Sequence, residues 1–387
     1  MTPVRVGVVC DLQEEGWHSM DLVADMLLDA LPSVSAGRIV ATRLRPPMTR
    51  RWTRLPVVGR GNRAHLGDRL TGRLWDYPRW LAPRRAEFDV FHIVDHSYAH
   101  LVRALPADRT IVTCNDTDAF EAARRGSASR LDPSRLLAAH VLDGISRASH
   151  VACISEATRQ DLISTGRVDP SRTSVVYLGA HPSCTPEPDA AADDEIDGLL
   201  GPRGFELLHV SSTIPRKRID VLLEVFSKFR SVHPDARLVR VGGALTQDQQ
   251  AFAARLNIRD AIVPVPFLER RPLAALYRRA SVVLLPSDRE GFGLPVVEAM
   301  ACGTPVVASD IPALREVGGT AAIYAPPGDV SRWVEALLQF RRDQSDPMIR
   351  ERRRQACIRN AMKFDWTQYA AQMSHLYLQP MARERAS

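Results

Sequence analysis

Two glutamates on either side of a Gly-x-Gly turn have the side chains and the spacing to bind hydroxyl groups of a ligand. Glu290 precedes the turn 291–293, and Glu298 follows it. The glycines let backbone N–H groups of the turn come close to a ligand. Pro295 fits the first turn of a helix, where its missing N–H is no loss. Glu290 is therefore predicted in a loop after a buried strand, and Glu298 in the early turns of the next helix.

The start of this predicted helix favours an anion, whereas the two carboxylates favour neutral hydroxyl groups. The helix dipole and the N–H groups at its N-terminus attract a group such as a diphosphate. A carboxylate accepts two hydroxyl hydrogen bonds, so Glu298 could hold a ribose diol and Glu290 the hydroxyls of a second sugar. The structural alternative is that the dipole alone favours Glu298 and that water solvates Glu290. Spacing alone leaves both interpretations open.

A second group of polar residues lies between another predicted strand and helix. The segment 211–218 (SSTIPRKR) combines hydroxyl groups, backbone N–H groups and the cations Arg216 and Lys217. Such a combination at a strand-to-helix turn is typical of a phosphate site. If this segment stood alone, a solvated basic turn would be the simpler interpretation. Together the two segments favour a site for an activated sugar.

Alternating strand and helix patterns predict the scaffold that positions these segments. Short apolar runs, typical of buried strands, alternate with apolar residues at helical spacing. The predicted strands are Val4–Cys10, Asp89–Val94, Thr110–Cys114, His150–Ile154, Ser174–Leu178, Leu207–Ser211, Arg237–Val241, Ala261–Val265 and Val282–Pro286. This alternation is typical of parallel sheets covered on both faces, with ligands at the carboxyl ends of the strands. We therefore predict an α/β protein with two doubly wound domains.

Length and composition predict the domain boundaries. A chain of 387 residues is too long for one compact core. Residues 184–206 are rich in Pro, Asp, Ala and Gly, and we predict that they form a linker with little strand or long-helix character. This linker would separate an N-terminal domain, 1–183, from a C-terminal domain, 207–361.

Composition also narrows the class of protein. Charged residues at 25% and hydrophobic residues at 45% are typical of a globular chain. The six cysteines contain no C-x-x-C pair, which argues against a disulfide framework or a zinc site. No apolar run approaches the roughly 20 residues of a membrane span, and the N-terminus does not resemble a signal peptide. We expect a cytoplasmic protein.

The net charge of +6 is concentrated in one segment. Residues 43–85 hold twelve arginines and only two acids, interleaved with Trp52, Trp75 and Trp80. One interpretation is a solvated, irregular insertion over about 43–86. Another is contact with a phosphate-bearing acceptor or with an anionic membrane, which would place the protein at the inner face of that membrane. No recognised nucleic-acid motif accompanies the arginines, so we expect no nucleic-acid partner.

The stretch EGFGLPVVEAMACGTPVVAS, residues 290–309, closely resembles the E-x7-E signature of glycosyltransferase family 4. Further similarity covers most of the second half of the chain, including the P-R-K turn, L-V-R-V-G-G, A-L-R-E-V-G-G and F-D-W at 364–366. Enzymes of this family retain the configuration of the transferred sugar. They have the GT-B fold, in which two Rossmann-like domains face a central cleft. The resemblance also implies that residues 362–387 form a helix that crosses back to the first domain.

The resemblance implies a role for each residue of the two polar segments. Glu290 and the N–H groups after it would hold the donor sugar, and Glu298 would bind the nucleotide ribose. Arg216 and Lys217 would neutralise the diphosphate and, with Glu290, form the catalytic group. The donor-binding candidates are Gly291, Phe292, Gly293, Leu294, Glu298 and Ser212. No metal is expected, because the two cations supply the positive charge, and the nucleoside diphosphate sugar is a co-substrate rather than a cofactor.

The first half departs from the family's pattern. Many relatives have a Gly-Gly loop after the first strand, where this chain has Glu15 and Gly16. Many also have Thr-x-His-Asp where this chain has Asn115 in place of the histidine, which puts that contact with the donor sugar in doubt. The stretch 92–100 (HIVDHSYAH) resembles another part of the family, and its three histidines are not expected to bind a metal. The acceptor-side candidates are Gly16, Asp95, His96, Asn115 and Asp116.

The resemblance implies a retaining glycosyltransferase that moves a hexose from a nucleoside diphosphate sugar to an acceptor hydroxyl. Its product would belong to a polysaccharide, a glycolipid or another glycoconjugate, and its acceptor would be a glycan, a lipid-linked molecule or a small molecule. Two alternatives stay open. One is a GT-B sugar phosphorylase, which would use inorganic phosphate in place of a nucleotide. The other is a non-catalytic nucleotide-sugar-binding protein.

Overall fold

The computed structural model describes residues 2–55, 62–118, 120 and 133–384, and these form two units. The first unit comprises Met1–Leu178 and Trp366–Ser387, and the second comprises Gly179–Asp365. Each unit contains a six-stranded sheet, and each strand pair described in either sheet is parallel. Parallel strands are buried on both faces, which explains why most of them appear in the sequence as continuous apolar runs.

The first sheet reverses its strand order beside its first strand. Its strands are β1 (Val4–Val9), β2 (Ile39–Leu44), β3 (Val90–Ile93), β4 (Thr110–Cys114), β5 (His150–Cys153) and β6 (Thr173–Val175). Their order across the sheet is β2-β1-β3-β4-β5-β6. The chain thus continues from β1 to β2 on one side, and β3 lies on the other side. A crevice forms outside the carboxyl ends of the strands at such a point.

Several helices of the first unit precede the second unit in the chain. They are α1 (His18–Ser35), α2 (Asn62–Thr71), α3 (Tyr77–Leu81), α4 (Pro133–Arg147) and α5 (Glu156–Ile163). Ser155 caps α5 as its position after a strand predicts, since its side chain accepts a hydrogen bond from the N–H of Thr158.

The second sheet repeats the reversal. Its strands are β7 (Glu206–Val210), β8 (Arg237–Val241), β9 (Ile262–Val265), β10 (Val282–Leu285), β11 (Val306–Ser309) and β12 (Ile323–Ala325). Their order is β12-β11-β10-β7-β8-β9, so the reversal lies between β7 and β10. The helices of this unit are α6 (Ala190–Leu200), α7 (Ile219–Val232), α8 (Gln247–Arg255), α9 (Arg270–Arg279), α10 (Leu294–Ala301), α11 (Pro312–Gly318), α12 (Val330–Asp343) and α13 (Pro347–Ala361).

The last helix of the chain belongs to the first unit. Helix α14 (Trp366–Glu384) packs against α1 and β1. Its buried Tyr377 places its hydroxyl 2.7 Å from Nδ1 of His92, which is itself buried in β3. The helix implied for residues 362–387 thus begins at Trp366 and is held by aromatic side chains in the core of the first unit.

The segment 184–206, predicted to be a linker with little strand or long-helix character, contains the 11-residue helix α6. Asp189 caps this helix by accepting a hydrogen bond from the N–H of Ala192. Its buried residues Ala192, Ile196 and Leu200 recur every four positions, a helical spacing that the Pro- and Asp-rich composition obscured. Acidic side chains of the segment pair with α9, as in the 2.7 Å contact between Asp193 and Arg278.

The interpretation of about 43–86 as an irregular insertion does not hold for the part that the structure describes, which is helical from residue 62 onwards; residues 56–61 lie outside that part. Helices α2 and α3 are joined by a π-helical turn, Gly72–Asp76. Buried Asp68 holds the preceding loop by accepting hydrogen bonds from the N–H groups of residues 51–53. Tyr77 packs in the core with its hydroxyl 2.7 Å from the carbonyl of Cys10. Among the described residues, no helix has the length and apolar character needed to span a membrane.

Candidate functional site

The Gly-x-Gly turn lies at the carboxyl end of β10 and leads directly into α10, as the sequence predicts. Gly293 is the N-cap residue of α10 and has a φ of 102°, a conformation that side chains disfavour. A Cβ atom there would also lie 2.6 Å from Cδ2 of Leu314. Phe292 is buried and packs edge-on against Phe364, with ring centroids 5.6 Å apart. Its side chain therefore belongs to the core, and the backbone is the part of the turn suited to a ligand.

Glu290 meets both predicted cations in this turn. Lys217 Nζ lies 2.6 Å from Oε1 of Glu290, and Arg216 Nη1 lies 3.3 Å from Oε2. Ser287 donates a hydrogen bond of 2.7 Å to the same carboxylate, whose side chain is 7% exposed. Burial acts to raise the pKa of Glu290, but the charges of Lys217 and Arg216 outweigh it and lower that pKa below its ordinary value. Glu290 is therefore a carboxylate held by two cations.

The sheet topology explains this meeting. Arg216 and Lys217 lie in a 3-10 turn, Pro215–Lys217, after β7, while Glu290 lies after β10. These two strands are neighbours at the point where the strand order reverses, so the loops at their carboxyl ends converge. A backbone hydrogen bond of 2.9 Å from Asp288 to Arg216 joins the loops directly. Ser212, the other candidate from this segment, lies exposed in the loop after β7.

Glu298 has a different environment from Glu290. It is 4% exposed in α10, and Tyr277 donates a hydrogen bond of 3.0 Å to its Oε2. The nearest cation described is Arg270, whose Nη1 lies 4.0 Å from Oε1. Burial raises the pKa of Glu298 above its ordinary value, and Arg270 and Tyr277 compensate only in part. The pKa values of the two glutamates of the signature are thus shifted in opposite directions.

Four acceptor-side candidates lie together in the first unit. Asp95 and His96 follow β3, and Asn115 and Asp116 follow the neighbouring strand β4. Nδ1 of His96 is 3.2 Å from Asp95, and its Nε2 is 3.7 Å from Asp116. Burial opposes the charged form of His96, but the hydrogen bond with Asp95 and the nearby carboxylates raise its pKa overall. The Nδ2 group of Asn115 donates a hydrogen bond of 3.2 Å to the carbonyl of Val94.

Asn115 is oriented so that its amide oxygen remains a usable acceptor. Its Nδ2 group also lies 3.5 Å from Asp95, while Oδ1 is buried and has no hydrogen-bond partner among the described residues. A buried polar atom of this kind costs free energy unless a ligand or water satisfies it. The fifth candidate, Gly16, lies in an exposed left-handed turn after β1, with a φ of 68°.

Asp11 belongs to this group of side chains, and the sequence-based prediction missed it. It follows β1, which pairs with β3, and it is 3% exposed. Burial and the neighbouring carboxylate of Asp95 raise the pKa of Asp11 to about 9. At neutral pH the two carboxyl groups therefore hold one proton between them. The signal in the sequence was an acid immediately after a buried strand, at the same place as Asp95.

Arg240 is a second residue that the prediction missed. It lies in β8 and is 3% exposed. It donates a hydrogen bond of 3.1 Å to the carbonyl of Ser211, the first residue of the segment 211–218. It also donates to the carbonyl of Gly243. A charged residue in the middle of a predicted buried strand was the available signal, since such a charge must find partners.

The three histidines of the stretch 92–100 have separate partners. His92 lies 2.7 Å from Thr113 Oγ1, and His100 Nε2 lies 3.0 Å from the carbonyl of Arg73. His96 faces carboxylates instead. Within the ranges that the structure describes, no group of three or more His, Cys, Asp or Glu side chains is arranged to hold a metal ion.

Two family descriptions match the chain. "Glycosyltransferase Family 4" matches residues 34–183, and "Glycosyl transferases group 1" matches residues 197–364. The D-inositol 3-phosphate glycosyltransferase of Mycobacterium sp. (strain JLS) is 32% identical over 202 residues, which are 50% of this chain and 45% of that protein. The chain thus spans about half the length of the curated relatives it matches.

Solved structures show the same fold. Sucrose-phosphate synthase from Thermosynechococcus elongatus has a TM-score of 0.74 at 19% identity, with 98% of this chain and 100% of that chain covered. HepE from Anabaena, in complex with UDP and glucose, has a TM-score of 0.73 at 16% identity, with 96% and 99% covered. Similarity at these identities shows the fold alone, and it confirms the predicted GT-B fold with two Rossmann-like domains.

Proposed function

The chain belongs to glycosyltransferase family 4, and from that premise we propose that it transfers a hexose from a nucleoside diphosphate sugar to an acceptor hydroxyl. The observation that supports this proposal best is the meeting of Arg216, Lys217 and Glu290 where β7 and β10 end. Two cations facing one carboxylate leave a net positive charge for an anionic diphosphate. A UDP-sugar is the first donor to test, because the fold relative HepE was solved with UDP and glucose.

The proposed reaction retains configuration and uses neither a protein nucleophile nor a metal ion. The bond between the anomeric carbon and the diphosphate oxygen breaks, and a bond to the acceptor oxygen forms on the same face. The acceptor's proton passes to the leaving phosphate. Arg216 and Lys217 stabilise the charge that develops on the departing diphosphate, and Glu290, kept ionised by them, accepts hydrogen bonds from the sugar.

Glu298 is proposed to bind the ribose of the nucleotide. Tyr277 donates to one of its carboxylate oxygens, which fixes the side chain while leaving acceptor capacity for a hydroxyl pair. Arg270, 4.0 Å away, offsets the effect of burial on this carboxylate only in part, so Glu298 suits neutral hydroxyl groups better than phosphate. Its position in the first turns of α10 places it close to the turn that carries Glu290.

The polar group of the first unit is proposed to recognise hydroxyl groups of the acceptor or of the donor sugar. Asp95 is ionised, since His96 and Ser97 lower its pKa far below the ordinary value although burial opposes them. His96 and the Oδ1 atom of Asn115 supply further donors and acceptors of hydrogen bonds. Neutral hydroxyl groups fit such a site, because its negatively charged carboxylates disfavour a phosphate.

A thermal-shift panel tests the donor proposal. UDP-, GDP- and ADP-sugars are compared with inorganic phosphate, and at least one nucleotide sugar is expected to raise the melting temperature. A response to phosphate alone would indicate a sugar phosphorylase. Donor binding without turnover, with or without acceptors, would indicate a non-catalytic binding protein. The family match favours neither alternative.

We also propose that the protein is cytoplasmic and that the segment 43–85 contacts an anionic membrane surface. Trp52 is 45% exposed and Trp75 is 56% exposed, and the guanidinium of Arg79 lies 3.1 Å from the centroid of the Trp75 ring. Exposed indole rings beside arginines suit the head-group region of a bilayer. Flotation with phosphatidylglycerol vesicles is expected to carry the protein, and flotation with phosphatidylcholine vesicles is not.

A further inference from the structure

A groove in the first unit has no role in the proposed reaction. It has a volume of about 930 Å³ and is lined by residues of α2, α3, α4 and the helical turns beside them. Five leucines supply most of its apolar character: Leu66, Leu70, Leu74, Leu136 and Leu137. Volumes of roughly 300–1,000 Å³ with an apolar lining are typical of sites for small molecules.

Four of these leucines, the leucine stripe, are substantially exposed: Leu66, Leu70, Leu74 and Leu136. Leu66, Leu70 and Leu74 follow each other at a spacing of four residues, so they share one face of α2 and the turn after it. Their exposed fractions are 52%, 39% and 43%, and Leu136 on α4 is 54% exposed. At the α-helical rise, the eight residue steps from Leu66 to Leu74 span about 12 Å, the length of a short alkyl chain. Contiguous exposed leucines of this kind mark a surface that binds something apolar.

The charged residues that line the groove are all basic. Arg79, Arg85 and Arg103 contribute to the lining, and no aspartate or glutamate among the described residues does. Arg79 stacks on Trp75, and Arg85 donates a hydrogen bond of 2.6 Å to the carbonyl of Ala104. The backbone and aromatic contacts hold these guanidinium groups at the groove without neutralising their charge. The third, Arg103, pairs at 2.9 Å with Asp143, which lies outside the lining.

We propose that this groove binds one hydrocarbon chain of a phosphate-bearing membrane lipid, whose head group lies against Arg79 and Arg85. The leucine stripe provides the apolar surface, and the guanidinium groups provide the donors that phosphate oxygens prefer. A basic amphipathic peptide would meet like charges, and an uncharged chain would leave the arginines without a partner. The inference rests on the membrane contact proposed above and makes it specific to a lipid type and to a site.

The first test uses the unmodified protein and monomeric alkyl phosphates. Octyl, decyl and dodecyl phosphate are titrated below their micelle-forming concentrations, with alkyl glucosides and alkyltrimethylammonium salts of equal chain length for comparison. The affinity for the phosphates is expected to rise about three- to fourfold for each added methylene, and to exceed the affinity for both other head groups. Affinity that does not depend on chain length, or that is equal for all head groups, would overturn the proposal.

The second test uses variants with a matched control. Leu66→Gln combined with Leu136→Gln should lower the dodecyl phosphate affinity and the flotation with phosphatidylglycerol vesicles at least tenfold. Leu199→Gln replaces a leucine of similar exposure, 48%, on α6 of the other unit and should change neither. Arg79→Gln combined with Arg85→Gln should weaken dodecyl phosphate binding without weakening dodecyl glucoside binding. Equal losses in the Leu199 variant, or a change of oligomeric state without a change in lipid affinity, would contradict lipid binding.

The donor measurements separate this inference from the glycosyltransferase proposal. If no nucleotide sugar stabilises the protein while the alkyl phosphate series behaves as expected, the groove stands and the donor assignment fails. If nucleotide sugars bind and the affinity for alkyl phosphates does not change with chain length, the groove proposal alone fails. The chain-length series requires no substitution, so a variant that does not fold cannot decide the question.

Discussion

The two sheets of this protein have the same type of strand reversal but opposite charge at the carboxyl ends. At the reversal between β7 and β10, the cations Arg216 and Lys217 surround one carboxylate. Near the reversal between β1 and β3, the carboxylates of Asp95 and Asp116 flank His96. The topology provides a crevice in both cases, and the side chains decide which ligand suits it. The cationic end suits a diphosphate, and the acidic end suits neutral hydroxyl groups.

The same contrast recurs within the signature itself. Glu290 is paired with cations and its pKa is lowered, whereas burial raises the pKa of Glu298. Two glutamates on one short segment therefore differ in how strongly the protein favours their ionised form. The reason is that only Glu290 lies beside the loop after β7. The role of a carboxylate in this site follows from its neighbours rather than from its place in a motif.

The largest effect is expected from removing a cation at the second sheet. Lys217→Met should lower kcat/KM for the donor about 10²- to 10³-fold, because one donor to the developing phosphate charge is lost and Glu290 keeps only Arg216 as a cationic partner. Steady-state kinetics measures this loss. Lys228→Met changes an exposed lysine on α7 and serves as the control. Equal rates for the two variants would remove the basis for assigning the diphosphate to this end of the sheet.

The next largest effects are expected from substitutions of the two glutamates, which should change different kinetic quantities. Glu290→Gln is expected to lower kcat about 10- to 100-fold with a small change in nucleotide affinity, because the amide keeps the shape but not the charge that contacts the sugar. Glu298→Ala should instead weaken UDP binding about tenfold, which corresponds to the loss of one good charged hydrogen bond. Calorimetry with UDP and single-turnover kinetics distinguish them. Unchanged constants in both variants would rule out the site.

The carboxyl groups at the end of the first sheet should make the stability of the protein depend on pH. The pKa of Asp11 is raised to about 9, so the folded state binds a proton that the unfolded state has released above about pH 4. Stability should therefore fall as the pH rises toward 9, with Asp95, Glu15 and Arg73 as the charged neighbours. Asp11→Asn mimics the protonated form and should remove about 1–3 kcal/mol of that decline.

Urea unfolding of the wild type and of Asp11→Asn between pH 6 and pH 9 measures the difference. Asp25→Asn, at an acid on α1 whose side chain is 48% exposed and pairs with Arg43, is the comparison variant and should keep the wild-type slope. Parallel pH profiles for Asp11→Asn and the wild type would mean that Asp11 is ionised like an ordinary aspartate, and the contrast between the two ends would weaken.

The smallest effect concerns the hydroxyl that supports Glu290. Ser287→Ala removes a 2.7 Å hydrogen bond to the carboxylate, worth about 0.5–1.5 kcal/mol, and should lower kcat about two- to tenfold. The carboxylate is needed in its ionised form, so activity is lost as the pH falls through its lowered pKa. The variant should move this acid limb to higher pH. A fall in kcat with an unmoved acid limb would show that Ser287 acts through packing alone.

Local sequence patterns predicted most strands and the turn at Glu290, because burial on both faces of a parallel sheet produces apolar runs that are visible in the sequence. The same patterns failed where composition was used in place of periodicity. In α6, the buried residues Ala192, Ile196 and Leu200 have helical spacing, yet the surrounding acids and prolines suggested a linker. In the arginine-rich segment, the hydrogen bonds that Asp68 accepts from a preceding loop could not be predicted from residue spacing.

By itself, the sequence indicated the family, the alternation of strands and helices, and the candidate residues for a phosphate and two sugars, because these depend on residue types and short spacings. The tertiary structure alone decided that Lys217 contacts Glu290, that Asp11 lies beside Asp95, and that Leu66 and Leu136 line one groove. Each of these pairs is separated by about 70 or more residues in the sequence. Their contacts follow from the order of strands in a sheet and the packing of distant helices, which no local pattern encodes.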